Sequence, residues 1–208
     1  MHEIKIIDSG VSNLYNFIKA VEFLGFNYEI VKSKFHINGN EKLILPGVGN
    51  FGEFTANIKK YDIENSILES VKKKIPILGI CVGMQYLMHS SEESNSSKGL
   101  NLFDNKKVYK FKSNNANIKV PLVGNQKLII NRIFKEDKIF NNINDNSRFY
   151  FFNSYYSNVD SKYELAKTNH ADNVFSSIVK KDNIYGFQFH PEKSRKDGLT
   201  LISNFLNL

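Results

Sequence analysis

The chain has 208 residues, of which 41% are hydrophobic and 24% are charged. This composition is typical of globular proteins and excludes a disordered or fibrous chain. The formal net charge of +7 raises the question of nucleic-acid binding, but only three of the 28 basic residues are arginine. Because nucleic-acid readers depend on arginine forks and clustered basic faces, we expect no nucleic-acid partner.

A single cysteine, Cys81, excludes an internal disulfide framework and a metal site built from several cysteines. We expect neither a metal nor a cofactor.

The N-terminal segment has an acidic residue at position 3 and lacks the apolar run of a signal peptide. The longest uncharged stretch, residues 75–91, contains proline, glycine, glutamine and histidine and is interpreted as a strand and turn, not a membrane span. The expectation is a cytoplasmic protein with a single domain over residues 1–208.

The first half of the chain alternates apolar runs with helical patterns. The predicted strands are residues 4–7, 28–31, 43–45 and 75–80. Apolar residues at helical spacing predict one helix over residues 14–24, with Ser12 as N-cap and Gly25 as its stop, and another over residues 63–71. The last of these strands is apolar on both faces, which is typical of a parallel sheet covered on both sides.

The second half has shorter apolar runs separated by polar turns. These runs are residues 108–111, 128–130, 149–152, 165–168, 174–179 and 184–189. Their spacing predicts antiparallel or mixed strands that continue the same sheet. A final helix is predicted over residues 197–206, and loops over 94–97 and 113–117. The predicted fold class is α/β: an open, mostly parallel central sheet flanked by helices, with antiparallel strands added in the second half.

The sharpest local feature is the segment GICVG at residues 79–83, where a buried strand ends and a helix begins. It has the residue pattern of a nucleophile elbow. In such an elbow, glycines let the strand and the helix approach each other, and the central residue lies in a strained turn. Cys81 would project at the carboxyl end of the sheet, beside a helix N-terminus that favours a thiolate. The alternative is a buried structural cysteine in a glycine-rich turn.

A thiolate nucleophile needs an acid/base residue, which in turn needs a side chain to orient it. His190 is the histidine whose neighbouring residues include such a side chain. It follows an apolar strand in the segment QFHPE at residues 188–192. Residues i and i+2 of an extended segment face the same side, so His190 and Glu192 are predicted to project together. Glu192 would hold the imidazole in the tautomer that accepts the thiol proton. Alone, the segment fits a surface turn; its coincidence with the elbow favours catalysis.

A third segment, LPGVG at residues 45–49, runs from a strand into a glycine-rich turn. Such a turn can direct a backbone N–H outward, as an oxyanion hole requires. Phosphate binding is not supported, because neither a dinucleotide-binding glycine pattern nor a Walker lysine follows. A plain turn is the remaining alternative.

These three segments, in this order, resemble the class I glutamine amidotransferases, which use a Cys-His-Glu triad. Within that family the resemblance is closest to the glutaminase subunits of imidazole glycerol phosphate synthase. It runs nearly end to end and is carried by IIDSGVSNL, LPGVGNFGE, GICVGMQYL, residues 99–103, residues 154–156, GFQFHPEKS and the closing GL-LI-NFL. GICVGMQ together with QFHPEKS is a specific combination.

The resemblance implies a flavodoxin-like fold in which Cys81 is the nucleophile, His190 the acid/base and Glu192 its orienter. The implied oxyanion hole consists of the backbone N–H of Val82 and one backbone N–H from the turn formed by Gly47, Val48 and Gly49. The implied contacts of the glutamine substrate are Gln85, Glu93, Ser154 and Tyr155.

The implied chemistry is hydrolysis of glutamine to glutamate and ammonia through a γ-glutamyl thioester on Cys81. The resemblance further implies a heterodimer, in which ammonia passes through a (β/α)₈-barrel cyclase/synthase subunit. That subunit forms imidazole glycerol phosphate in histidine biosynthesis and releases an aminoimidazole carboxamide ribotide.

Two departures from the family pattern bear on the partner. Where the family usually has PHMGWN, this chain has PLVGNQ at residues 121–126, and Asn153 replaces the usual histidine before Ser-Tyr. The first segment is implied to face the partner, so Leu122 and Asn125 are predicted interface positions without the usual aromatic anchor. This leaves open a paralogue that supplies ammonia for amidating a sugar in bacterial surface-glycan biosynthesis. Further alternatives are a γ-glutamyl peptidase and a non-catalytic binding subunit.

Overall fold

The computed structural model describes residues 3–11, 14–112 and 119–208. The strands of the first half are β1 (Glu3–Ile7), β2 (Tyr28–Val31), β3 (Glu41–Gly47) and β4 (Ile77–Cys81). The helices of this half are α1 (Leu14–Phe23), α2 (Phe51–Lys60), α3 (Ile63–Lys72) and the short α4 (Val82–Tyr86), which follows β4 directly. The predicted N-cap Ser12 and the predicted loop 113–117 lie outside the described residues.

The second half is mostly strands. They are β5 (Ser90–Ser91), β6 (Ser94–Lys98), β7 (Lys107–Lys110), β8 (Leu122–Lys127), β9 (Ile129–Ile130), β10 (Arg148–Asn153), β11 (Tyr155–Ser157), β12 (Glu164–His170), β13 (Asn173–Lys181) and β14 (Ile184–Phe187). Three 3-10 turns, Arg132–Phe134, Lys138–Phe140 and Pro191–Lys193, and a final helix, α5 (Arg195–Leu206), complete the described elements.

Eight of these strands form the main sheet, in the order β2-β1-β3-β4-β14-β13-β12-β9. The strands from β2 to β14 in that order are parallel, whereas β13, β12 and β9 continue the sheet antiparallel. Every residue of β3 and β4 is buried, as a sheet covered on both faces requires. The predicted α/β class with added antiparallel strands is confirmed.

The sequence-based prediction was wrong in three details. The runs at 108–111 and 149–152 do not extend the main sheet: β7 joins β5, β6 and β11 in one small sheet, and β10 pairs with β8 in another. Residues 94–97 belong to strand β6, not to a loop, because their backbone pairs with β5. Helix α2 was not predicted, since its segment contains glycine and asparagine; Asn50 caps it by accepting from the N–H groups of Gly52 (2.8 Å) and Glu53 (3.1 Å).

The junction of β4 and α4 depends on a close backbone approach. Strand β4 lies between β3 and β14, where Ile77 pairs with Leu43 on one side and Ile184 on the other. A Cβ at Gly83 would overlap the carbonyl oxygen of Leu45 in β3. Helix α4 can therefore lie directly on the sheet only because this residue is glycine.

No helix within the described residues is long and apolar enough to cross a membrane.

We predict that Gly83→Ala lowers the free energy of unfolding by about 3 kcal/mol, the upper end of typical overpacking, because the added methyl meets backbone that cannot rotate away. Urea unfolding of the full chain measures this effect. Asn16→Ala, an exposed change on α1, should stay within about 0.5 kcal/mol of the wild type and is the control. Equal stability of all three proteins would contradict the close approach.

Candidate active site

Cys81 is held in a strained turn at the end of β4. Its backbone angles are φ 53° and ψ −110°, a conformation that residues with a side chain rarely adopt. Such strain costs about 1–3 kcal/mol and persists only where the surrounding packing imposes it. The residue is 4% exposed. The turn places the sulfur at the N-terminus of α4, at the carboxyl end of the parallel strands.

His190 and Glu192 form a buried pair opposite this turn. The His190 Nδ1 lies 2.9 Å from the Glu192 Oε1, and their side chains are 1% and 4% exposed. The His190 backbone N–H donates to the Tyr150 carbonyl of β10 (2.8 Å), which fixes the chain at this point. Because Glu192 lies in the 3-10 turn Pro191–Lys193, the pair forms across a turn and not along the extended strand that the i, i+2 spacing assumed.

The charge state of His190 depends on both neighbours. Burial alone would lower the pKa of this imidazole, but the negative charge of Cys81, followed by the hydrogen bond and charge of Glu192, raises the pKa to about 10. The ring Nε2 makes no regular hydrogen bond within the part of the chain that the structure describes. A protonated imidazole is therefore available to a group bound beside the Cys81 sulfur.

Helix α5 holds the turn that carries this pair. The Ser194 hydroxyl donates to the His190 carbonyl (2.7 Å) and accepts from the Tyr150 backbone N–H (2.8 Å). A Cβ at Gly198 would overlap the Pro191 carbonyl oxygen, so the first turn of α5 presses directly on the 3-10 turn. The geometry of the pair thus depends on Ser194, which directly precedes α5, and on Gly198 in its first turn.

The other end of α5 is anchored in the main sheet. The buried ammonium of Lys42 in β3 donates to the carbonyl groups of Leu206 (2.8 Å) and Leu208 (2.9 Å). A cation suits the negative end of the helix dipole, although burial lowers the pKa of Lys42. The helix is therefore fixed at both ends, by the sheet and by the turn that carries His190 and Glu192.

A cavity of about 140 Å³ opens beside Cys81. Its lining includes eight residues predicted from the sequence: Val48, Gly49, Cys81, Val82, Gln85, Glu93, Ser154 and Tyr155. Three further lining residues are Pro121, Phe152 and Asn153. The cavity thus brings together segments from both halves of the chain, while His190 and Glu192 lie buried outside its lining.

The implied oxyanion hole is only partly arranged. Val82 is the first residue of α4, so its backbone N–H belongs to the first turn, which has no intrahelical acceptor. The Val48 N–H, in contrast, donates to the Val11 carbonyl (2.9 Å). This corrects the prediction for Val48: a loop carbonyl that the sequence does not reveal takes up its donor. Gly47 pairs with Cys81 across the sheet.

The implied substrate residues are tied to their surroundings by hydrogen bonds. Gln85 donates from Nε2 to the Tyr155 carbonyl (3.2 Å) and to Gln188 Oε1 (3.2 Å). The Glu93 carboxylate accepts from the Phe51 N–H at the start of α2 (2.7 Å). Burial raises the pKa of Glu93, and burial together with the charge of Glu93 raises the pKa of Tyr155. One wall of the cavity thus carries a carboxylate.

Gln188 was missed by the sequence analysis. Its Nε2 lies 3.9 Å from the Cys81 Sγ, and its side chain is buried. The i, i+2 spacing that linked Glu192 to His190 also links Gln188 to His190 in the other direction. Applying the spacing towards the N-terminus could have identified this residue.

The two predicted interface positions differ in exposure. Leu122 is 3% exposed and pairs with Asn153, so its side chain does not reach the surface; this corrects its placement on a docking face. Asn125 is exposed and lies opposite Tyr150. Alternation along the two strands gives an outward face that we call the β8–β10 face, made of the cross-strand pairs Val123–Phe152, Asn125–Tyr150 and Lys127–Arg148.

Comparison with known proteins places this geometry in context. The family model "Glutamine amidotransferase class-I" matches residues 5–208. The chain is 41% identical over 204 residues to imidazole glycerol phosphate synthase subunit HisH 2 of Methanococcus maripaludis, covering 98% of each chain. It is 38% identical to imidazole glycerol phosphate synthase subunit HisH of Leptospira borgpetersenii, covering 99% of this chain and 100% of that protein.

Solved structures show the same fold at lower identity. A crystal structure described as a glutamine amidotransferase superposes with a TM-score of 0.73 at 17% identity, covering 98% of this chain and 97% of the other. The structure of PurLQS from Thermotoga maritima gives a TM-score of 0.69 at 19% identity, covering 99% of this chain and 98% of the other. These two matches concern the fold alone.

We predict that His190 stays protonated well above neutral pH. Its imidazole NMR resonances should titrate with a midpoint near 10. In Cys81→Ala the midpoint should fall, because burial still disfavours the charged ring while the larger of its two negative partners is gone. Glu192→Gln should lower the midpoint as well. Surface His36 provides the internal reference, and an unchanged His190 titration in Cys81→Ala would show that the two side chains are not coupled.

Proposed function

The chain belongs to the class-I glutamine amidotransferase family, and within it to the HisH subunits of imidazole glycerol phosphate synthase, and we propose that Cys81, His190 and Glu192 are the triad of this glutaminase. Its function is to hydrolyse glutamine in histidine biosynthesis and to supply the ammonia to the cyclase subunit of the synthase. The observation that carries the triad assignment is the buried His190–Glu192 pair facing the strained Cys81 turn.

In the first half of the reaction, the Cys81 sulfur attacks the carbon of the glutamine side-chain amide. A C–S bond forms, and His190 gives its proton to the amide nitrogen as the C–N bond breaks. Ammonia leaves, and a γ-glutamyl thioester remains on Cys81. The raised pKa of His190 suits this step, because the imidazole carries the needed proton at neutral pH.

In the second half, the neutral His190 takes a proton from water, which attacks the thioester carbonyl. The C–S bond breaks, its electron pair returns to sulfur, and glutamate leaves. Glu192 keeps the imidazole oriented through Nδ1 in both halves. The protonated imidazole of His190 and the thiolate of Cys81 are then restored.

The cavity wall suits an amino acid as substrate. We assign the carboxylate of Glu93 to the α-amino group of glutamine, because a half-buried anion binds an ammonium by charge-assisted hydrogen bonds. Ser154, Tyr155 and Gln85 line the same cavity and position the remaining atoms. Oxyanion stabilisation comes from the Val82 N–H and from one N–H of the turn formed by Gly47, Val48 and Gly49. In this turn the Val48 N–H donates to the Val11 carbonyl, and Gly49 lines the cavity. A missing oxyanion donor costs about 10²–10³ in turnover.

We assign the β8–β10 face to the cyclase subunit, with Asn125 as an interface position. Phe152 links this face to the active site, since it lines the cavity and is 44% exposed. Ammonia released at Cys81 would then emerge towards the partner. We further propose that this partner is a (β/α)₈ barrel, that the complex is a cytoplasmic heterodimer, and that residues 1–208 form one amidotransferase domain.

A second candidate, supply of ammonia for amidating a surface-glycan sugar, is favoured by the departure at the β8–β10 face. Asn125 stands where the family usually has an aromatic anchor. Methanococcus maripaludis has proteins named HisH 1 and HisH 2, and this chain is 38% and 41% identical to them. Two subunits of this kind can therefore occur in one organism.

We predict that Cys81→Ser abolishes glutamine-dependent synthesis by the complex and leaves ammonia-dependent synthesis unchanged, because only glutamine hydrolysis uses the thiolate. Both rates are measured on the purified complex, with complex formation checked by gel filtration. Equal loss of both activities in an assembled complex would exclude Cys81 as the nucleophile. Glutaminase activity towards γ-glutamyl peptides without the partner would instead indicate a peptidase.

We predict that Asn125→Trp weakens binding to the chain's own cyclase partner at least about tenfold, equivalent to 1.4 kcal/mol, because an indole meets a surface not shaped for it. The same variant should bind more tightly to a histidine-pathway cyclase from a relative with the usual tryptophan. Titration with glutaminase rate as the readout gives both affinities. Asn65→Trp, an exposed change on α3, is the matched control. If Asn125→Trp and Asn65→Trp behave alike with both cyclases, Asn125 does not choose the partner.

A further inference from the structure

Gln188 is a buried amide that the proposed chemistry does not use. Its side chain is 0% exposed, and its backbone N–H donates to the Ser177 carbonyl (3.0 Å). The residue follows β14, and the chain continues to His190 two residues later. A buried side-chain amide needs a hydrogen-bond partner for its NH₂ group and another for its carbonyl oxygen. The identity of these partners therefore indicates what the amide does.

The orientation of this amide is set by a chain of hydrogen bonds. The Tyr155 carbonyl can only accept, so Gln85 must direct its Nε2 towards it (3.2 Å). The same nitrogen donates to Gln188 Oε1 (3.2 Å). Gln188 therefore directs its own Nε2 to the opposite side, where the Cys81 Sγ lies at 3.9 Å. If the Gln188 amide were flipped, its NH₂ group would face the Gln85 NH₂ group, and two donors would meet without an acceptor.

We propose that Gln188 is a further catalytic residue, which donates an amide N–H to the Cys81 sulfur and stabilises its thiolate. This inference rests on the proposed role of Cys81 as the nucleophile. In the thioester the sulfur carries no charge and the N–H···S contact weakens. When water cleaves the thioester, the electron pair of the C–S bond returns to sulfur and Gln188 stabilises the departing thiolate. Gln188 neither gains nor loses a proton.

The groups around the sulfur explain why a neutral donor is suited to this position. The titratable residues that face the sulfur or its cavity are His190, paired to Glu192, and Glu93 and Tyr155 in the lining. His190 gives its proton to the departing amide nitrogen and takes one back from water, so its charge changes within the cycle. An amide cannot give its proton away, so it stays a donor to sulfur throughout the cycle.

The test measures how the reactivity of Cys81 depends on pH. Because Cys81 is the sole cysteine of the chain, loss of free thiol to iodoacetamide reports on this site alone. We compare wild type with Gln188→Leu, which removes the donor, and with Gln188→Glu, which keeps the shape but places an acceptor towards sulfur. Ser177→Ala is the control, because it removes a buried hydroxyl beside the Gln188 backbone and leaves the amide chain intact.

We expect the midpoint of alkylation to rise by about one pH unit in Gln188→Leu, a tenfold change in proton affinity, and further in Gln188→Glu. Ser177→Ala should keep the wild-type midpoint. In complex with the cyclase subunit, both Gln188 variants should lose about tenfold or more in kcat, with KM for glutamine within about threefold, because the donor acts on sulfur and not on bound substrate.

Wild-type midpoints in both Gln188 variants, or an equal shift in Ser177→Ala, would overturn the proposal. The result is separable from failure of the proposed function. If Cys81→Ser abolishes glutamine-dependent activity and the Gln188 variants alkylate like wild type, only the role of Gln188 fails. If Cys81→Ser retains that activity, the nucleophile assignment itself fails.

Discussion

The site depends on one buried imidazole that lies between a sulfur and a carboxylate. Burial disfavours a charge on His190, and the two neighbours outweigh that effect, so the ring holds a proton at a pH where an exposed histidine has lost it. This balance requires positions that do not move. The pairing of β4 with β14 brings the two chain segments together, and helix α5, held by Lys42 and pressed on the Pro191 carbonyl, keeps the histidine in place.

The sequence predicted what depends on local pattern. The parallel strands, the elbow around Cys81 and the segment of His190 all follow from apolar runs, glycine placement and side-chain spacing. The small sheets were not predicted, because the pairing of β8 with β10 is a contact between distant segments with no local signature. The same limit applies to Val48, whose N–H is taken by a carbonyl from a different loop.

The sequence also did not show which side chains are buried, and this was the other limit on prediction. Leu122 and Asn125 are three residues apart in one strand, so opposite faces follow from the period of two; only the fold shows which face is outward. Gln188 illustrates the converse, because its spacing from His190 was visible but nothing in the sequence indicated an acceptor for its amide. Distance between segments, more than residue type, separated what could be predicted from what could not.

The pairing of β4 with β14 also has a consequence for biosynthesis of the protein. Ile77 is translated long before its partner Ile184, and contacts of such sequence separation form slowly. Until β14 is inserted between β4 and β13, His190 is not held near Cys81. A chain in which β14 is still unpaired therefore cannot bring these two side chains together.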